Sequence, residues 1–324
     1  MGISLYYWTD MPNFGDRLNE DVCRFLSGSD PLWASPKRCN AVFIGSILEK
    51  FIYRRRHWTV DALWIKYFRP KVDVWGSGFI KSPETSDERL MRRLDVHAVR
   101  GRITLERLRR LTGQTLDDVA VGDPGLLASR LYPAKGPAFR VCGIIPLHAE
   151  LAAIKRSEDI VAIESESGIL QESTVKAMPL FERLAKSIPG AVVLNPESSP
   201  ETVVGRISEC KTLLSSAMHG LIVADSFGIP NMRVVASKSL MGGDYKFKDY
   251  YSVFSRERYR QIDICGIRPN NILDFVVGGY IDPGREVKLI ANSLFASFPQ
   301  IMKKKSLPSH SPNAWDGNER EEQV

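Results

Sequence analysis

No stretch of the chain reaches the roughly 18 consecutive apolar residues that a membrane-crossing helix needs. No span is therefore expected. Cys-x-x-Cys pairs are missing too. Cys23, Cys39, Cys142, Cys210 and Cys265 are odd in number and widely scattered. Such spacing argues against a zinc site and against a disulfide framework, and fits reduced, buried thiols in a cytoplasmic protein. Met1-Gly2-Ile3-Ser4 lacks a basic flank and a long apolar core, so no secretory signal is expected. There is no internal repeat, and no nucleic-acid motif accompanies the net charge of +6. Nucleic acid is not an expected partner.

What is present is a chain of 324 residues with 44% hydrophobic content, the size of one large or two medium domains with a real core. Basic residues cluster at Arg54-Arg55-Arg56, from Arg100 to Arg110, and at Lys303-Lys304-Lys305. Clusters of this kind attract anionic substrate or anionic lipid, so peripheral contact with the inner face of a membrane is expected. Residues 303–324 are polar and poor in apolar surface, the composition of a disordered tail.

Apolar runs of strand length alternate with segments of helical period. Ile3 to Trp8, Ala41 to Ile44, Val72 to Trp75, Asp95 to Val99 and Val119 to Gly122 read as strands. Helices are expected from Asp16, as N-cap, to Ser27 before Gly28, from Ile47 to Tyr53, and from Ile103 to Gly113. After the Pro/Gly-bearing stretch 132–138 the alternation resumes. Arg140 to Ile145, Ile160 to Ile163 and Ala191 to Leu194 read as strands. Val175 to Ile188, Glu201 to Cys210 and Val287 to Phe295 read as helices. The pattern predicts an α/β protein of two Rossmann-like domains facing a cleft, a GT-B-like build, with domains at 1–135 and 139–300.

The most informative stretch runs from Lys211 to Ala236. An apolar strand leads to the polar corner Ser215-Ser216, a helix begins with His219 in its first turn, and Gly228-Ile229-Pro230 stops it before a second β-branched run. Ligands of open α/β sheets sit beyond the carboxyl ends of the strands. The first turn of a helix there has unpaired N–H groups and partial positive charge, which suit an anion. Ser215 or Ser216 is expected to cap the helix. By the same placement rule Asn13, Gly15 and Asp16 follow the first strand, Gly76-Ser77-Gly78 the third, Arg100 the fourth, Asp123 the fifth, and His148 the first strand of the second half. The aromatic-basic stretch 54–71 suits stacking on sugar rings or simple packing.

Ser216-Ala217-Met218-His219-Gly220-Leu221-Ile222, continued by Asp225 to Pro230, resembles the signature of the polysaccharide pyruvyl transferase family. Asn13-Phe14-Gly15-Asp16, Gly76-Ser77-Gly78, Val99-Arg100-Gly101 with Gly122-Asp123-Pro124-Gly125, and Lys246-Phe247-Lys248-Asp249 resemble its further motifs in order. The similarity is greatest to the ketal-pyruvate transferases of bacterial exopolysaccharide assembly, the succinoglycan type. One departure stands out: where many members carry an arginine two positions before the histidine, this chain has Ala217.

The resemblance implies transfer of the enolpyruvyl unit of phosphoenolpyruvate to a sugar of a lipid-linked oligosaccharide, giving a pyruvate ketal and free phosphate. It implies no cofactor beyond the donor, and no metal. On that reading His219 is the general acid or the phosphate partner. Asp16 and Asp123 are candidate bases. Arg100, Lys246 and Lys248 meet the donor's charge, and Asn13, Gly15, Gly76, Ser77, Gly78, His148, Ser215, Ser216 and Gly220 line the site. Two other readings stay open: a nucleotide-sugar glycosyltransferase of the same two-domain build, and a non-catalytic sugar-binding protein, which Ala217 keeps in play.

Overall fold

The computed structural model describes residues 2–54, 69–83, 87–134, 138–147, 160–164, 170–174, 181, 184, 185, 187–235, 243–263 and 272–303. His148, Cys265, most of the 54–71 stretch and of the helix expected at 175–188, and the tail from 304 lie outside the described residues.

Two sheets organise the chain. The first holds β1 (Ser4–Leu5), β2 (Leu32–Trp33), β3 (Ala41–Val42), β5 (Val72–Trp75), β7 (Leu94–Val99) and β8 (Ala120–Val121). All pair in parallel, in the order β2-β1-β3-β5-β7-β8. A small antiparallel ribbon, β4 (Ile52–Arg54) with β6 (Glu88–Leu90), lies beside it. The second sheet holds β9 (Cys142–Ile145), β10 (Ile160–Glu164), β11 (Leu170–Thr174), β12 (Ala191–Leu194), β13 (Leu213–Ser215), β14 (Asn231–Val235) and β15 (Gln261–Asp263). Its order is β11-β10-β12-β9-β13-β14-β15, parallel except for the β10–β11 pair. Continuous apolar strands such as Cys142–Ile145 and Ala191–Leu194 are what a parallel sheet covered on both faces requires.

The helices are α1 (Phe14–Ser27), α2 (Arg102–Thr112), α3 (Ala128–Leu131), α4 (Pro200–Ser208), α5 (Met218–Ser226), α6 (Tyr245–Tyr251), α7 (Ile272–Gly278) and α8 (Gly284–Ser297). Gly28 at φ 68° and Gly113 at φ 71° end α1 and α2 in the left-handed conformation that favours glycine. Three expectations are corrected. Ile47 to Tyr53 is a 3-10 turn, Leu48–Phe51, running into β4. Asn13, not Asp16, caps α1: it is extended at φ −154°, and its Oδ1 accepts from Gly15 N at 2.9 Å. Neither Ser215 nor Ser216 caps α5, whose N-cap is Ala217.

Strand order reverses between β1 and β3 in the first sheet and between β9 and β13 in the second. Open α/β sheets form ligand crevices at such points. Loops beyond the carboxyl ends of the two sheets touch. Phe14 N, at the start of α1, donates to Pro196 O beyond β12 at 2.8 Å. One apolar cluster also runs through both halves, joining Leu5, Leu18 and Trp75 to Val204, Val223 and Leu294. α8, late in the chain, returns to the first sheet, where the Trp75 Nε1–H donates to Leu294 O and to Ser297 Oγ, each at 3.1 Å. Trp75 also meets Phe43 and Phe298 edge-on at 5.4 and 5.2 Å. Trp75→Ala is expected to cost about 3–5 kcal/mol, the range for a large buried aromatic. Urea denaturation checks it; a loss under about 1 kcal/mol would mean α8 is not fastened there.

Candidate active site

The site begins at the β13–α5 corner. Ser215 is fully buried, and its hydroxyl turns back on the local backbone, accepting from Ala217 N at 3.1 Å and donating to Ala217 O at 2.8 Å. Ser216 Oγ donates to Val234 O at 3.1 Å. Both hydroxyls are therefore engaged in shaping the corner, and α5 starts at Ala217 with no side-chain cap. Its first N–H groups keep their partial positive charge. Gly220 lets the turn close: a Cβ there would lie 2.5 Å from Ser215 Oγ.

His219 stands in that first turn and packs on the opposite corner. A Cβ on Gly15 would lie 2.0 Å from His219 Nδ1, so glycine is required where the two crevices touch. The Nε2 of this buried ring has no hydrogen-bond partner. Burial chiefly, with the positive charges of Lys246 and Arg100, pushes the imidazole down to about 3. His219 is thus a neutral ring in the free protein at physiological pH.

Next to Gly15, Asp16 is partly buried. Burial pushes its carboxyl up to about 7; Asp123 adds to the rise and Lys246 opposes it. Asp123 is fully buried and caps the 3-10 turn Pro124–Leu127 through Gly125 N at 2.9 Å, while its Oδ2 has no partner. Burial raises it to about 6, against the pull of Gly125 N–H and Arg100. Lys246, in the first turn of α6, is lowered to about 8 by burial, then by Arg100 and Arg233, with Asp16 opposing. The structure therefore gathers His219, Asp16, Lys246 and Asp123 between the two sheets.

Other expected residues do different work. Arg100 is fully buried and meets no open space. Its Nε and Nη2 lie 2.9 Å from Asp249 Oδ2, Nη2 donates to Phe79 O at 2.5 Å, and Nη1 donates to Ser46 Oγ. Gly78 makes room for that guanidinium, since a Cβ would sit 2.5 Å from its Cζ. Ser77 is buried and donates to Gly45 O at 2.9 Å, and Gly76 packs on Pro124. Gly76, Ser77 and Gly78 therefore build the wall behind Arg100. Of the basic run Arg100 to Arg110, Arg107 is also buried, against Glu88 at 2.8 Å, whereas Arg102 and Arg110 are exposed and Arg109 pairs with Glu106 at 2.6 Å at the surface. Lys248 is exposed, on α6 but away from its buried face. Among the described residues, Asp73, Asp95 and His97 are the one group with metal-ligand spacing, and they lie in β5 and β7, apart from this seam. Asp249 was the residue missed: its motif was visible, but its partners lie some 145 positions away.

A sequence profile of the family described as polysaccharide pyruvyl transferase matches residues 7–239, a span holding both corners. An uncharacterized protein of Acanthamoeba polyphaga mimivirus is 27% identical over 185 residues, which are 55% of this chain and 54% of that protein. The chain thus spans about half the length of that relative. No solved structure matches.

The raised Asp16 carboxyl has a consequence for stability. The folded protein holds that proton up to about pH 7, the unfolded chain only to 3.8. Across this window the folded state binds more protons, so the Asp16 contribution to stability falls as pH rises. Asp16→Asn should therefore gain thermal stability over the parent by a few degrees at about pH 8, with the gain shrinking toward about pH 4. Thermal scans across pH test it; a variant less stable than the parent at every pH would contradict it.

Proposed function

The chain belongs to the polysaccharide pyruvyl transferase family, and from that premise we propose that it moves the enolpyruvyl unit of phosphoenolpyruvate onto two hydroxyls of a polysaccharide-building sugar. The product is a cyclic pyruvate ketal, and inorganic phosphate leaves. The observation that carries this reading is the buried, unpartnered His219 Nε2 beside the uncapped start of α5, with Asp16 and Lys246 around it. We read the two sheets as Rossmann-like domains of GT-B-like build, and the acceptor as a lipid-linked oligosaccharide of succinoglycan type. Action is assigned to the cytoplasmic face of the membrane. Among the described residues no helix is long and apolar enough to cross a membrane.

The donor brings a phosphate and a carboxylate. Ala217 removes the arginine expected near the histidine, and Arg100 is already engaged by Asp249. Arg233 is engaged by Asp244 at 2.6 Å and by Tyr259. Among the described residues Lys246 has no ion pair, so it and the first-turn N–H groups of α5 are assigned to the donor's anionic groups.

Protonation of the donor's CH2 carbon opens the reaction. Asp16 is assigned that role, because it holds a proton near neutrality and an anionic donor would hold the proton there more firmly. The neutral His219 Nε2 then accepts the proton of the first sugar hydroxyl as its oxygen bonds to the donor's C2. The C2–O bond to phosphate breaks, the second hydroxyl adds to C2, and its proton leaves with the phosphate. One proton is gained at carbon, two are lost from hydroxyls, and one departs on phosphate. This replaces the expectation of His219 as the acid: burial disfavours its charged form, and the same burial favours the protonated form of Asp16.

Lys246→Ala should weaken phosphoenolpyruvate binding about ten- to a hundredfold, the weight of a charged hydrogen bond. Asp16→Asn should instead lower kcat by about a hundred- to ten-thousandfold with little change in donor affinity. Calorimetry and phosphate-release kinetics separate the two effects. Unchanged donor affinity in Lys246→Ala, or displacement of the ligand by nucleotide sugars but not by phosphoenolpyruvate, would overturn the assignment. No phosphate release by the parent protein with any acceptor would favour the non-catalytic reading.

A further inference from the structure

α2 starts at Gly101, which has no side chain to cap it. Helix starts leave backbone N–H groups without partners. Here the missing caps come from the α6 region, about 150 residues later. Asp249 Oδ1 accepts from Thr104 N at 2.8 Å, the third helical position, where a local N-cap side chain would normally bond. Ser252 Oγ accepts from Arg102 N at 2.8 Å. Asp249 Oδ2 also accepts from Thr104 Oγ1 at 2.7 Å and from Arg100 Nε at 2.9 Å. Gly101 permits this contact, because a Cβ there would lie 1.8 Å from the Asp249 carbonyl oxygen. Asp249, Arg100 and Thr104 are all fully buried.

α6 has only seven residues, too few to hold its place without tertiary contacts. Lys246 precedes Asp249 by three positions, one turn along the same face. We propose that Asp249 is a positioning residue: it caps α2 from α6, and this cap fixes Lys246 opposite Asp16 and His219. The proposal rests on the reading of Lys246 as the partner of the donor's anionic group.

The test uses the full chain with Thr104→Val, which keeps the side chain's shape but removes the hydroxyl's bond to Asp249 and the longer one it accepts from Phe79 N at 3.3 Å, and Thr104→Ser, which restores the hydroxyl. Lysines are methylated with a 13C label, and Lys246→Arg identifies the Lys246 resonance. Its titration midpoint is expected at about 8 in the parent, since burial and the charges of Arg100 and Arg233 push the amine down. Thr104→Val should move it upward by about half a unit or more, toward the ordinary lysine value of about 10.4. Phosphoenolpyruvate affinity should fall about three- to tenfold, the weight of one hydrogen bond. Thr104→Ser should match the parent, and in a Lys246→Ala background Thr104→Val should cause no further loss. If Thr104→Val does not fold, Ser252→Ala takes its place with the same readouts. A lower thermal midpoint with an unmoved Lys246 resonance and unmoved affinity would reduce Asp249 to a structural role. If the parent binds no phosphoenolpyruvate, the donor reading fails, and the Lys246 resonance still decides the positioning claim.

Discussion

Charge removed from water between the two sheets must be matched there, and the Arg100–Asp249 pair is a fully buried instance of that matching. Both side chains are fully buried. A buried carboxylate or guanidinium persists only with a partner and with its remaining hydrogen-bonding capacity filled. Thr104, Phe79 O and Ser46 complete the set. Because the two charged partners lie 149 positions apart, one in each half of the chain, satisfying them also brings the halves together. Removing either one would leave the other charge buried alone, which is why this pair dictates how closely α6 approaches the first sheet.

The same seam then decides protonation. Arg100 is neutralised locally, yet its field still reaches His219 and Lys246 and disfavours additional positive charge on both. Dehydration acts in opposite senses on acids and bases: it raises the Asp16 carboxyl to about 7 and the Asp123 carboxyl to about 6, and lowers the His219 imidazole to about 3. A proton-holding carboxyl beside a proton-free imidazole is the pairing that acid–base chemistry at neutral pH requires. In this chain, burial alone supplies most of that separation.

Much of this was legible in the sequence, and the rest was not for identifiable reasons. Period and punctuation found the strands at Val72–Trp75 and Ala191–Leu194 and the ends of α1 and α2, because Gly28 and Gly113 act locally. The corner at His219 was legible because a strand, a polar turn and a helix follow one another directly. The engagement of Arg100 was open, since a carboxylate clamp and an internal ion pair look identical in one dimension. Asp249 carried no local signal: it caps a helix some 145 residues earlier, and only the fold reveals that Gly101 lacks a cap of its own. The serine caps at Ser215 and Ser216 failed because the Ser215 hydroxyl bonds back to Ala217 and the Ser216 hydroxyl donates to Val234 O on the neighbouring strand.

The account stands on one claim, that the His219 corner and the Asp16 corner together form the seat of pyruvyl transfer. The most direct measurement is mass spectrometry of lipid-linked oligosaccharides incubated with the protein and phosphoenolpyruvate in heavy water. The account predicts a product heavier by one pyruvyl ketal, with one deuterium in its methyl group delivered by the acid of the seam, and no such product from His219→Gln. An acceptor unchanged in mass with the parent protein, or an equal yield of ketal from His219→Gln, would contradict it.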